Sequence, residues 1–130
     1  MKPIGTIRTP HVNMEGTPVQ PRWAKGTHGT IEIDDEYAPG LLDLDGFSHI
    51  IVLYVFDRIT DVLHLTPVPF LDTKPHGIFA TRSPWRPNHI GLSVLAIVSI
   101  NGNTIEVEGV DMLDGTPVLD IKPHVPDFEP

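Results

Sequence analysis

An antiparallel all-β domain, either barrel or sandwich, is the fold class this sequence predicts, on three observations. Fourteen prolines and eleven glycines punctuate 130 residues, so few windows can hold a long helix. The proline-free windows are rich in Ile and Val and read as short strands. Asn-Gly and Asp-Gly turn signals stand between them, and there is no strand–helix alternation that would make a parallel sheet.

In chain order, "IGTIRT" (Ile4 to Thr9) is a first short strand. "HGTIEIDDEY" alternates around Ile31 and Ile33, which predicts one buried face. "HIIVLYVF" (His49 to Phe56) is continuously apolar, as a central strand would be. "HGIFATR" (His76 to Arg82) is expected as a strand leading into an arginine loop. "IGLSVLAIVSI" runs to Asn101-Gly102-Asn103, a hairpin signal, and "TIEVEGV" returns with Ile105 and Val107 inward and Glu106 and Glu108 outward. Asp114-Gly115 is a further turn before the last strand, "PVLDIKPHV". Helix fits only in short pieces, Tyr37 to Leu44 and Asp57 to Leu65. The length suits a single domain with a real core.

Composition narrows the function. The chain has no cysteine, which excludes a thiolate nucleophile and a cysteine-ligated zinc and agrees with a cytoplasmic setting. The N-terminus lacks the apolar core of a secretory signal, and the longest apolar run, Ile50 to Phe56, is too short to span a bilayer. The net charge of −8 opposes unaided binding to nucleic acid. An RNA partner would need a local patch drawn from Lys74, Arg82, Arg86, Arg22, Lys25 and Lys122.

The most distinctive stretch is "TRSPWRPN", Thr81 to Asn88. Pro84 and Pro87 stiffen the loop, and Arg82 and Arg86 can grip a carboxylate or phosphate. A second stretch, "VDMLDGTPVLDIKP", carries Asp111, Asp114, Asp120 and Lys122, of which Asp120 and Lys122 share one face of a strand. The seven histidines show neither HxH nor HExxH spacing, so no metal site is expected. His49, opening an apolar strand, reads as a core or edge residue. "PVQPRW" reads as a loop around Gln20. No Gly-x-Ser-x-Gly elbow is present, so Ser83 and Ser93 have no support as nucleophiles.

"GIFATRSPWRPNHIGLS" and "DMLDGTPVLDIKPHVP" resemble the signature segments of the TsaA-like (YaeB, VirR) family, and "PIGTIRTP", "PVQP", "GLLDLDGFSHIIVLYVF" and "VEGVD" match in the same order. The resemblance covers nearly the whole chain. It implies a compact β-barrel that binds S-adenosylmethionine, a homodimer with sites near the subunit interface, and N6-methylation of threonylcarbamoyl-adenosine next to the anticodon of tRNA. The open edges of so small a barrel would also invite pairing. On the resemblance, the donor-binding positions are Pro18, Gln20, Phe56, Asp57, Arg82, Arg86, Asn88, Leu92, Asp111, Met112, Leu113 and Asp114. Lys74, Arg86 and Lys122 are the expected RNA contacts, and no membrane or metal partner is expected. Methyl transfer depends mainly on positioning, and a base would help a urea-like nitrogen lose its proton. Asp57, Asp111 and Asp120 are the candidates. The chain departs from the family at Asp57, where His is frequent, at His89, where Pro is usual, and at His124, where Tyr is common. It ends at "PDFEP", where longer members continue into a second domain.

Overall fold

The computed structural model describes residues 2–12, 26–58 and 77–128. Six antiparallel strands form a closed barrel: β1 (Gly5–Arg8), β2 (His28–Ile33), β3 (His49–Val55), β4 (Ile90–Asn101), β5 (Thr104–Glu108) and β6 (Thr116–Pro123). Around the barrel the order is β1-β2-β5-β4-β3-β6, and β6 closes onto β1. Closure satisfies both outer strands, so the described residues leave no open edge to invite pairing, and that ground for a dimer falls away.

The alternation of side chains decides what fills the barrel. Ile7, Ile31, Ile50, Val52, Leu95, Ile105, Val107, Val110 and Val118 are fully buried. Ile105 and Val107 point inward between half-buried Glu106 and Glu108, as the alternation of "TIEVE" predicts. β5 pairs with β4 through the Asn101–Thr104 hairpin, as the Asn-Gly signal predicts.

Two expected elements differ. The segment expected as a strand at His76 to Arg82 contains a single 3-10 turn, Ile78–Ala80, with Ile78 buried and Phe79 exposed; His76 lies outside the described residues. A closed barrel offers no edge for a seventh strand. Thr81 Oγ1 instead donates back to the Ile78 carbonyl at 2.8 Å, which holds the turn. The helical piece expected at Tyr37 to Leu44 is two 3-10 segments, Asp35–Leu41 and Leu44–Gly46, separated at Asp43, whose φ is 69°. Pro39 lies within the first and keeps it from becoming a regular α-helix. Asp57 and Arg58 form a turn, and the remainder of the second expected helix lies outside the described residues.

Neighbouring strands alternate in direction, so the connections after β1, β3 and β5 all leave the same end of the barrel. Those three connections carry most of the sequence's candidate residues.

Candidate functional site at the barrel mouth

The walls of this mouth are the last residues of β3 and the first of β4. Gly91 faces inward opposite Tyr54. A Cβ at Gly91 would stand 2.4 Å from Tyr54 Cε2 and 2.9 Å from Phe56 Cε2. Only glycine lets the Tyr54 ring lie flat against β4 here. Phe56 packs edge-on against that ring at 5.3 Å between centroids, and its amide donates to the His89 carbonyl at 2.8 Å.

Two strand positions further in, Ser93 is fully buried. Its Oγ lies 2.9 Å from the Tyr54 hydroxyl and donates to Asp111 Oδ1 at 2.9 Å. Burial raises the Asp111 carboxyl above the usual carboxylate range. The Ser93 hydrogen bond, the Asp111 amide, and the charges of His11 and Arg82 pull it back down in part. Burial, with the Asp111 charge beside it, also lifts the Tyr54 hydroxyl well above its ordinary value, while Ser93 and Arg82 oppose the rise.

The turn from Gly109 to Gly115 is tied to the connection after β1. Thr9 Oγ1 donates to the Met112 carbonyl at 2.8 Å, the Thr9 amide donates to Asp114 Oδ1 at 3.1 Å, and the Asp114 amide donates to the His11 carbonyl at 2.7 Å. His11 Nε2 lies 3.1 Å from the Val110 carbonyl. Arg58 donates to the Asp114 carbonyl. Gly115, at φ 85°, takes the left-handed conformation that the Asp-Gly pair signals.

The arginine loop is held by its own backbone. Arg86 Nη1 donates to the Thr81 carbonyl at 2.8 Å and the Ser83 carbonyl at 3.4 Å. Arg82 is exposed, and its charge reaches both Tyr54 and Asp111. His89 has φ 53°, which a proline could not adopt. Its Nδ1 bonds the Pro84 carbonyl at 2.9 Å.

The mouth therefore brings Phe56, Arg82, Arg86, Asp111, Met112, Leu113 and Asp114 to one end of the barrel. The Met112 side chain belongs to the core, 3% exposed, leaving only its backbone near the turn. Asp57 is exposed beyond the end of β3, and Asn88 is exposed in the loop. Leu92 faces outward, 40% exposed, opposite Leu53. Asp120 pairs with Lys122 at 3.2 Å on the outer face, beside Leu53 and level with Leu92. His49 is exposed, bonds Ser48 and pairs with Ala96 of β4, and its carbonyl accepts from the His124 amide; it is neither core nor edge, because the closed barrel pairs β3 on both sides. Pro18, Gln20 and Lys74 lie outside the described residues. Sequence reasoning passed over Tyr54, Thr9, His11, Arg58 and the part Ser93 plays. The period-two order of Gly91, Ser93 and Leu95 was the available signal for Ser93.

Residues 6–130 match the family model described as the tRNA-methyltransferase O N-terminal domain. The chain is 45% identical over 128 residues to a probable S-adenosyl-L-methionine-binding protein of Pyrococcus abyssi, covering 98% of this chain and 69% of that protein. It is 36% identical over 136 residues to a tRNA (adenine(37)-N6)-methyltransferase of Mus musculus, covering 98% of this chain and 31% of that protein. A crystal structure of TrmO superposes with a TM-score of 0.81 at 36% identity, covering 98% of this chain and 57% of the TrmO chain. The chain thus spans little more than half of that solved protein.

Proposed function

This chain belongs to the tRNA-methyltransferase O N-terminal domain family, and from that premise we propose that it binds S-adenosylmethionine at the barrel mouth and transfers the methyl group to N6 of threonylcarbamoyl-adenosine in tRNA, beside the anticodon. The observation that carries the reading is convergence. The arginine loop and the Asp111–Asp114 turn, far apart in sequence, leave the barrel at the same end, with Arg82 close enough to help pull the Asp111 carboxyl back down.

The residues there fit the donor. Arg82 offers a guanidinium for its carboxylate. Asp111 and Asp114 offer carboxylates for the sulfonium and the ribose hydroxyls. Exposed Leu92, with half-buried Leu113, offers the adenine an apolar wall. When bound, the donor supplies an electrophilic methyl group. The chain's own part is to fix the two reactants in line and to exclude water.

A homodimer and a cytoplasmic setting belong to this proposal. Leu92 and Leu53 form an outward cross-strand pair, with Ile51 and Val94 paired beside them. This apolar strip suits a second copy and would bring Leu92 into a shared site.

A second reading, a donor-binding module or small-molecule methyltransferase, is favoured by the charge of −8 and by the donor-binding name of the Pyrococcus relative. One assay separates the two: transfer of a labelled methyl group to tRNA with and without threonylcarbamoylated adenosine, at low salt. Label on the modified tRNA alone supports the first reading. Donor bound without label on either tRNA supports the second.

A further inference from the structure

We propose that Asp111 takes the proton from the acceptor nitrogen, and that Ser93 and Tyr54 are positioning residues that act through it. The inference rests on the methyl-transfer reading and deepens it by choosing among three carboxylates.

The structure separates those three. Asp120 is committed on the outer face, to Lys122 at 3.2 Å and to the Ile121 amide at 2.8 Å. Asp57 is exposed at a turn whose amide bonds the Val55 carbonyl. Asp111 stands at the mouth and reaches into the barrel, where Ser93 holds Oδ1.

Hydrogen-bond accounting fixes the direction of the chain. The Ser93 hydroxyl has one proton, and it goes to Asp111. Tyr54 must then be the donor to Ser93, so the order runs Tyr54 O–H to Ser93 Oγ, then Ser93 O–H to Asp111 Oδ1. Each bond polarises the next. Ser93 is fully buried and Tyr54 is 4% exposed, so water does not compete for either group. A Phe and an Ala would fill the space, but they would leave the buried Asp111 carboxylate without its donor. The hydroxyls add something an apolar pair cannot: they hold one carboxylate oxygen and leave the other for an incoming proton.

The step balances. The nitrogen lone pair forms the new N–C bond as the C–S bond breaks, and its electron pair stays on sulfur, giving a neutral thioether. The N–H proton passes to the Asp111 carboxylate and afterwards to water. One positive and one negative charge vanish together. Burial disfavours both charges, so the same desolvation that raises Asp111 favours the forward direction. Among the described residues, the charged and titratable groups acting on Asp111 are Tyr54 from β3, Arg82 from the loop after β3, and His11 from the connection after β1.

The test pairs two measurements. Carboxyl carbon NMR follows Asp111 through a pH titration of the protein alone, in wild type, Ser93→Ala, Ser93→Thr and Tyr54→Phe. The pH profile of methyl transfer is recorded for the same proteins. In Ser93→Ala the lost donor should raise the Asp111 midpoint, and the acid limb of the profile should rise with it. Ser93→Thr should restore both, and Tyr54→Phe, which removes only the far hydroxyl, should raise both by less. An unmoved midpoint in a folded Ser93→Ala protein overturns the chain. A midpoint that moves while the acid limb stays overturns the base role. If wild type transfers no methyl group, the functional reading fails and the base role falls with it, while the NMR titration still decides the hydrogen-bond chain.

Discussion

Gly91→Ala is the smallest change that reaches the site through packing alone. The new methyl carbon would stand 2.4 Å from Tyr54 Cε2, 2.6 Å from Cζ and 2.9 Å from Phe56 Cε2. All three contacts are well inside van der Waals separation, and Gly91 is buried, so relief requires the Tyr54 ring or β4 to move. Overpacking of this kind costs about 1–3 kcal/mol. For a domain of this size that corresponds to a melting temperature lower by roughly 3–12 °C. The displaced ring would also loosen the 2.9 Å contact between Tyr54 and Ser93, so methyl transfer should fall further than the folded fraction does. Gly46→Ala is the control, because nothing lies within 4 Å of the Cβ it would add. Differential scanning fluorimetry with donor binding by calorimetry reads both effects. A Gly91→Ala melting temperature equal to wild type, or a Gly46→Ala loss just as large, would refute the packing account.

Other changes test the electrostatics. Asp111 has a raised folded-state pKa, so across the interval between its unfolded and folded values the folded chain binds more protons, and stability falls as pH rises. Asp111→Asn should therefore match wild type in acid and be the more stable protein above that interval while losing methyl transfer, as chemical denaturation across pH would show; a stability gap that does not change with pH would contradict the burial cause. Arg82→Lys turns a planar fork into a point charge, and if the fork holds the donor carboxylate the loss is about 1.5–3 kcal/mol, roughly ten- to 150-fold in affinity by calorimetry. Unchanged affinity in the folded variant would remove Arg82 from the donor site. Light scattering should give twice the mass of one chain, and Leu92→Glu should shift it toward one; a wild-type monomer would place the complete site within a single chain.

The strand pattern was legible because period-two alternation is local. "TIEVE" and "HGTIEI" state their inward faces residue by residue, and Asn101-Gly102 and Asp114-Gly115 state their turns. The strand reading of His76 to Arg82 was not safe, because Ile78 and Phe79 look apolar enough for a strand while whether an edge remains to pair with depends on closure of the whole barrel. The site divides in the same way. Arg82 and Asp111 stood out by type, and the family resemblance placed them together. The chain from Tyr54 through Ser93 to Asp111 joins positions 39 and 18 residues apart, and no local window contains that information. Nor does the sequence reveal that Arg86 spends hydrogen bonds on its own loop, since the Thr81 and Ser83 carbonyls become acceptors only once the loop has curled.

The central claim is that the methyl donor binds where the connections after β1, β3 and β5 converge. The most direct measurement is a titration of uniformly labelled protein with S-adenosylmethionine, followed by amide and carboxyl chemical shifts. The account predicts saturable shifts concentrated in Arg82–Asn88, Gly109–Gly115 and the Tyr54–Phe56 end of β3, with the Asp111 carboxyl among the largest. Shifts centred on the opposite end, at Asn101–Asn103 and Asp34–Ser48, or no shifts at millimolar donor, would contradict it.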